Sequence, residues 1–149
     1  MSVKGTSFLA RRADKKLGED LRGHLARLFA EHSAQVDEND ELEYLEPKRS
    51  FDYAVATVTT PDLDLRFVRV RGQFDLWIST PGPHRRWDAL DSALLWLDMQ
   101  RGVETKSDIP GWGYVDWRAI NWASIDEFLI ENWGRLKAAA NARPYLDRR

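Results

Sequence analysis

The chain has 149 residues, 43% of them hydrophobic and 31% charged, which is the composition of one globular domain and excludes a disordered chain. It contains no Cys, so a disulfide framework, a thiolate zinc site and a cysteine nucleophile are all excluded. The formal net charge is only -2, but the charges are segregated: basic residues dominate from Lys4 to Arg27, and every charged residue from Glu31 to Glu46 is acidic.

Residues Met1 to Arg12 carry Lys4, Arg11 and Arg12 without an apolar run of signal-peptide length, and no stretch is apolar enough to span a bilayer. The expectation is a cytoplasmic protein, residues 1–149 forming a single domain. Between Asp14 and Ala34, Leu17, Leu21, Leu25, Leu28 and Phe29 recur at steps of three and four, the stripe of an amphipathic helix. Gly18 and Gly23 weaken that helix by about 1 kcal/mol each relative to Ala, so packing has to hold it. Asp37-Glu38-Asn39-Asp40 ends the pattern as an exposed connection.

The period then changes. Phe51 to Thr60, Leu63 to Arg71 and Gln73 to Ser79 are rich in β-branched and aromatic residues and predict three antiparallel strands, with a fourth expected from Glu41 to Glu46. Thr60-Pro61-Asp62-Leu63 is turn chemistry, and Arg71-Gly72 suits a two-residue hairpin loop. Those loops fix the register: Arg69 faces Phe74, Phe67 faces Leu76 and Leu65 faces Ile78, while Val58 faces Leu65 and Ala56 faces Phe67. One face then carries Ala54, Ala56, Val58, Leu65, Phe67, Phe74, Leu76 and Ile78, with alanines small enough for a helix to approach. The opposite face collects Tyr53, Val55, Val68, Val70 and Trp77 around Arg66, Gln73 and Asp75. That is too apolar for a solvated side, so either a partner covers it or another segment does, the Trp-rich stretch downstream being the expected cover.

After the Pro81-Gly82-Pro83 turn, Asp88 and Asp91 read as a helix start, Leu90, Leu94 and Leu97 share a face, and Gly102 ends the helix. Val103 to Ala123 reads as a long ordered loop or a loop holding one short strand. Ser124 and Glu127 form a capping box, followed by Ile125, Phe128, Leu129, Trp133 and Leu136 on a last helix that frays near Asn141. The expected fold is α+β: an antiparallel sheet of three to five strands in a hairpin-connected meander, packed with about three helices.

No residue pattern nominates a catalytic centre, a cofactor or a metal. His24 and His32 lie two turns apart on one helix, too far to chelate one ion, and His84 stands in a turn beside Arg85 and Arg86. Asp62 with Asp64, Asp88 with Asp91, and Asp126 with Glu127 all have turn or cap explanations. There is no nucleophile elbow, phosphate loop or dinucleotide fingerprint. Arg66, Arg69, Arg71, Arg85 and Arg86 with Phe67 and Trp77 suggest a nucleic-acid patch, but alternation splits Arg66 from Arg69 and Arg71, and the acidic run repels phosphate.

The hairpin from Leu63 to Ile78, containing Leu65-Arg66-Phe67-Val68-Arg69 and Gly72-Gln73, followed by Trp87-Asp88-Ala89-Leu90, resembles small bacterial α+β proteins of the polymorphic-toxin immunity type. Val70 stands where that group commonly carries an acid. The resemblance implies a hairpin-then-helix layout and a protein that binds and neutralises a cognate toxin, with no catalytic residue to carry over. A basic toxin domain would meet the acidic residues Asp37, Glu38, Asp40, Glu41, Glu43 and Glu46, and Trp112 and Tyr114 would supply aromatic anchors. The alternative is a non-catalytic interaction or regulatory module that self-associates as a homodimer through Tyr53, Val55, Val68, Val70 and Trp77. A small enzyme built from scattered carboxylates and arginines is the third expectation. Neither nucleic acid nor a membrane is an expected partner.

Overall fold

The computed structural model describes residues 8–37, 53–70, 72–82, 85–104, 115–116 and 119–142. Helix α1 (Phe8–His24) and helix α2 (Ala26–Glu31) lead into strand β1 (Gln35–Val36). A meander of β2 (Tyr53–Thr59), β3 (Asp64–Val70) and β4 (Gln73–Ser79) follows, then β5 (Asp88–Ala89) and helix α3 (Leu90–Arg101). Strand β6 (Val115–Asp116) precedes helices α4 (Trp122–Glu131) and α5 (Trp133–Asn141). The strands form one antiparallel sheet in the order β1-β2-β3-β4-β5, and β6 also pairs with β4. The fold is α+β.

The meander has the register its turns dictate. Val58 pairs with Leu65 and Ala56 with Phe67, while Leu65, Phe67 and Arg69 pair with Ile78, Leu76 and Phe74. The face that carries Ala54, Ala56, Val58, Leu65, Phe67, Phe74, Leu76 and Ile78 is buried throughout. It forms one core with Leu17, Leu21, Leu25 and Leu28 of the N-terminal helical stretch, Leu90, Leu94 and Leu97 of α3, and Ile125, Leu129 and Leu136 of α4 and α5. All the helices named above therefore lie on one side of the sheet. Burying each such Leu or Ile contributes about 1.5–3 kcal/mol.

Both edges of the meander are closed by short pieces. On the outer edge of β2, Gln35 and Val36 pair with Thr59 and Val58, the Asp37 amide donates to the Thr57 carbonyl, and Asp14 Oδ1 accepts from the Val55 amide at 2.8 Å. On the outer edge of β4, β5 pairs with Trp77 and Ile78 and β6 with Gln73 and Phe74. Unpaired strand edges invite intermolecular pairing, and this arrangement removes most of the template. The strand expected over Glu41–Glu46 lies outside the described residues; among the described ones β1 holds that edge.

Two of the three expected helical stretches are broken into pairs. The first breaks at Leu25, which supplies no side-chain cap to α2. Its substitute comes from 98 positions away: buried Asp126 of α4 accepts from the Leu28 amide at 3.2 Å. The second break is at Asn132, whose Nδ2 turns back to the Phe128 carbonyl at 3.0 Å. Stacked ring pairs bind the two broken stretches together, His24 on Trp122 and His32 on Trp133, with centroids 5.1 and 4.0 Å apart.

Two helix starts differ from expectation. Asp88 and Ala89 pair with β4, so α3 begins at Leu90. Helix α4 begins at Trp122, with Asn121 Oδ1 accepting from the Ser124 amide at 3.2 Å. Asn caps as well as Ser, and by capping earlier it places Ser124 inside the helix and turns Asp126 toward α2. Gly102 does end α3: it is left-handed, and the Gly102 and Val103 amides donate to Met99 and Asp98 carbonyls in a Schellman closure. No helix of the described residues is long and apolar enough to cross a membrane.

A Cβ at Gly18 would meet Val36 Cγ1 at 3.1 Å, whereas one at Gly23 would meet nothing within 4 Å. Gly23→Ala is therefore expected to stabilise the protein by up to about 1 kcal/mol, and Gly18→Ala to lose that gain to crowding against β1. Denaturant midpoints of the two variants, measured side by side, check the difference. Asp126→Ala removes the only side-chain acceptor at the start of α2 among the described residues. It should cost about 1–2 kcal/mol, while Asp126→Asn, which keeps an acceptor, should cost less.

Candidate functional site

Strand alternation sends every second residue of β2, β3 and β4 away from the helices. Directly opposed rows on that second face are Thr57–Arg66–Trp77, Val55–Val68–Asp75 and Asp64–Ser79. Val55 is 1% exposed, Val68 7% and Arg66 3%, so the middle of this face is covered within the monomer, while Gln73 and Asp75 at its β4 side remain exposed. That removes Val55 and Val68 from any dimer surface.

Residues 85–87, between the Pro81 turn and β5, provide part of the cover. Trp87 lies over Arg66, with Cζ 4.2 Å from the ring centroid, while Arg66 Nε donates to Thr57 Oγ1 at 3.1 Å. Arg85 Nε donates to Asp64 Oδ2 at 2.8 Å, and its Nη2 reaches Asp37 Oδ2 at 3.3 Å. The Arg86 amide donates to Ser79 Oγ at 2.9 Å. Two guanidiniums, two carboxylates and an indole thus fasten residues 85–87, the start of β3 and the end of β1 into one unit.

Within this unit Asp64 is almost fully buried. Burial raises its carboxyl above the usual value, opposed by the hydrogen bond and charge of Arg85. The Asp64 turn is also fixed from below: Thr60 Oγ1 donates to the Leu63 carbonyl at 2.6 Å and accepts from the Leu63 amide at 2.9 Å. These groups are engaged with one another. Their arrangement is that of a structural clasp, whose Asp64 and Arg85 hold Asp37 at the sheet edge.

A second group of carboxylates surrounds the start of α3. Asp75 projects from the second face of β4, Asp88 sits in β5, and Asp91 occupies the first turn of the helix, where it accepts from the Ser92 amide at 2.7 Å. Asp75 keeps contact with solvent, yet the loss of hydration raises its carboxyl and Asp91 raises it further. Burial raises Asp88 as well, with a smaller push from Asp91. Beyond Asp91 on α3, Leu95, Met99 and the following Val103 are 42%, 66% and 56% exposed.

Of the acids expected to meet a partner, Asp37 is already paired with Arg85 and half-buried. Glu38, Asp40, Glu41, Glu43 and Glu46, with the expected anchors Trp112 and Tyr114, lie outside the described residues. His24 and His32 are stacking partners of tryptophans, and His84 lies outside the described residues. Among the described residues no group of His, Asp and Glu is arranged to hold a metal. The arginines considered as a nucleic-acid patch divide as alternation requires: Arg66 is buried on the second face and Arg69 lies on the other.

No family model, curated protein or solved structure matches the chain. Its function has to be read from its own residues.

The clasp yields a pH-dependent prediction. The raised carboxyl of Asp64 means that the folded protein binds more protons than the unfolded one between the unfolded and folded values. Stability from this group therefore falls as pH rises through that window. Arg85→Ala would leave Asp64 more deeply uncompensated, at a cost of about 1–3 kcal/mol near neutral pH. Thermal melts should show the gap to the parent protein widening from mildly acidic to neutral pH; a constant gap would mean that Arg85 contributes packing and not charge.

Proposed function

We propose that this protein is a non-catalytic binding protein of the immunity type, which occupies and neutralises a basic toxin domain. The observation that carries the reading is the segregation of charge: every charged residue from Glu31 to Glu46 is acidic, and the run passes through Asp37, which Arg85 and the β2 edge hold in place. A toxin domain that acts on nucleic acid is basic where its substrate binds, and an acidic segment leaving a fixed point can compete for that groove.

The disposition of the other ionisable groups supports binding over chemistry. Asp64, Asp98 and Asp126 are buried, and each is matched by a partner: Arg85, Arg135 at 2.7 Å, and the Leu28 amide. Arg66 is spent on Thr57 and Trp87. These groups lie at separate junctions of the fold, whereas catalysis requires convergence on one reacting atom.

The test is a tagged pull-down from the native cell at low and high salt, followed by expression of each captured protein with and without this one. A stoichiometric basic partner is expected that stops growth when expressed alone, is harmless in the pair, and releases at high salt. Charge reversal at Glu41, Glu43 and Glu46 together should weaken the complex at least about tenfold, mainly through the association rate. A captured partner that is harmless alone would sink the immunity reading, and unchanged affinity after charge reversal would remove the acidic segment from it.

A further inference from the structure

We propose that the outer face of α3, from Asp91 through Leu95 to Met99, with exposed Val103 just past its end, is a docking surface for a basic, apolar-anchored segment of a protein partner. Within the toxin-neutralising reading, this names a second point of contact besides the acidic run. Leu95 follows Asp91 by one helical turn and Met99 follows Leu95 by another, so carboxylate, leucine and methionine stand in line on the exposed side. These are the large apolar side chains that the described surface leaves in solvent, and they fall next to one another. The inner side of the same helix is fully used: Leu90, Ala93, Leu94 and Leu97 enter the core, and buried Asp98 binds Arg135 of α5.

Charge decides the occupant. Asp75, Asp88 and Asp91 crowd the upper end of the stripe, and neither Asp75 nor Asp91 has a cationic partner among the described residues. A carboxylate in the first turn is useful to a helix, and Asp91 alone satisfies that. Asp75 comes from the sheet, does nothing for the helix, and is held near Asp91 at a cost in hydration. An Arg or Lys placed between them relieves the repulsion, while a neighbouring apolar side chain of the same segment covers Leu95 and Met99.

A second copy of this chain fits less well. Three side chains offer at most a few hundred Å², against roughly 800 Å² per partner in stable interfaces. Such a surface acts as an anchor within a larger contact made with charge complementarity.

The experiment uses the full chain and a fluorescent synthetic helical peptide bearing Leu and Arg on one face, with a matched peptide carrying Glu for every Arg. Anisotropy titrations at low salt should show binding of the Arg peptide and none of the Glu peptide. The double variant Leu95→Ser, Met99→Ser should weaken binding about tenfold or more, and Asp75→Asn with Asp91→Asn should weaken it and flatten its salt dependence. All these positions have solvent contact, so thermal midpoints should stay near the parent value and show that the variants fold. No binding to the parent chain, equal binding of the Glu peptide, or unchanged affinity in the serine variant each overturns the proposal. So does a parent dimer in sedimentation that the serine variant dissociates. A toxic partner that binds the serine variant normally overturns this surface and leaves the immunity reading standing. A Met99-dependent peptide complex without any toxic partner does the reverse.

Discussion

Strand β3 is the central strand of the meander and is buried on both faces along most of its length. One face can be apolar and simply receive helices. The other holds Asp64 and Arg66, two ionisable groups taken out of water on one strand, and each has to be answered. Much of the remaining architecture follows from that demand. Arg66 is answered by Thr57 across the ladder and by the indole of Trp87, while Asp64 is answered by Arg85. Trp87 and Arg85 both come from residues 85–87, so a short segment with no regular structure of its own is fixed over the sheet. Because Arg85 also reaches Asp37, the same pair ties the exit of β1 to the entry of β3.

The helical layer solves a different problem by similar means. Three helices long enough to cover the sheet would each need caps at their own ends. Instead, the first and last stretches break, and their junctions satisfy each other: Asp126 of α4 supplies the acceptor missing at α2, and His24 and His32 rest on Trp122 and Trp133. Arg135 of α5 then reaches back to Asp98 of α3, and the Trp96 indole N–H of α3 donates to the carbonyl of Ala142 just after α5. The helices are therefore linked by specific polar contacts as well as by the shared Leu and Ile core. Trp133 Nε1, buried without an acceptor among the described residues, is the exception to this matching.

Sequence reasoning reaches the sheet because period and turn chemistry are local. Thr60-Pro61-Asp62-Leu63 and Arg71-Gly72 set the loop lengths, and with those lengths every cross-strand pair follows. The apolar second face likewise announced a cover. The Trp-rich stretch downstream is the cover the sequence suggests, whereas among the described residues Arg85 and Trp87 supply it, reaching Asp64 and Arg66 through a tertiary approach that no periodicity encodes. A usable signal was present: Arg66, opposed by Thr57 and Trp77 on a face that had to be covered, demanded partners, and the nearest unassigned aromatic and arginine lay just past the Pro81 turn. The breaks at Leu25 and Asn132 were hidden for the opposite reason. The apolar stripe continues across both, so the pattern reads as one helix even where the backbone departs from it. Ser124 with Glu127 matched a cap motif, but Asn121 reached the amides first.

The acids of this chain fall into two groups that the fold treats differently. Asp64, Asp98 and Asp126 are buried deeply, and each meets a guanidinium or an amide whose own need it satisfies. Deep burial of a carboxylate is tolerable only on those terms. Asp75 is less buried, and there the partial loss of hydration and the nearby charge of Asp91 make its own charge harder to hold. Among the described residues neither Asp75 nor Asp91 meets a cation, so the charges this fold leaves unmatched are the ones in contact with solvent, and Asp91 stands one helical turn from exposed Leu95.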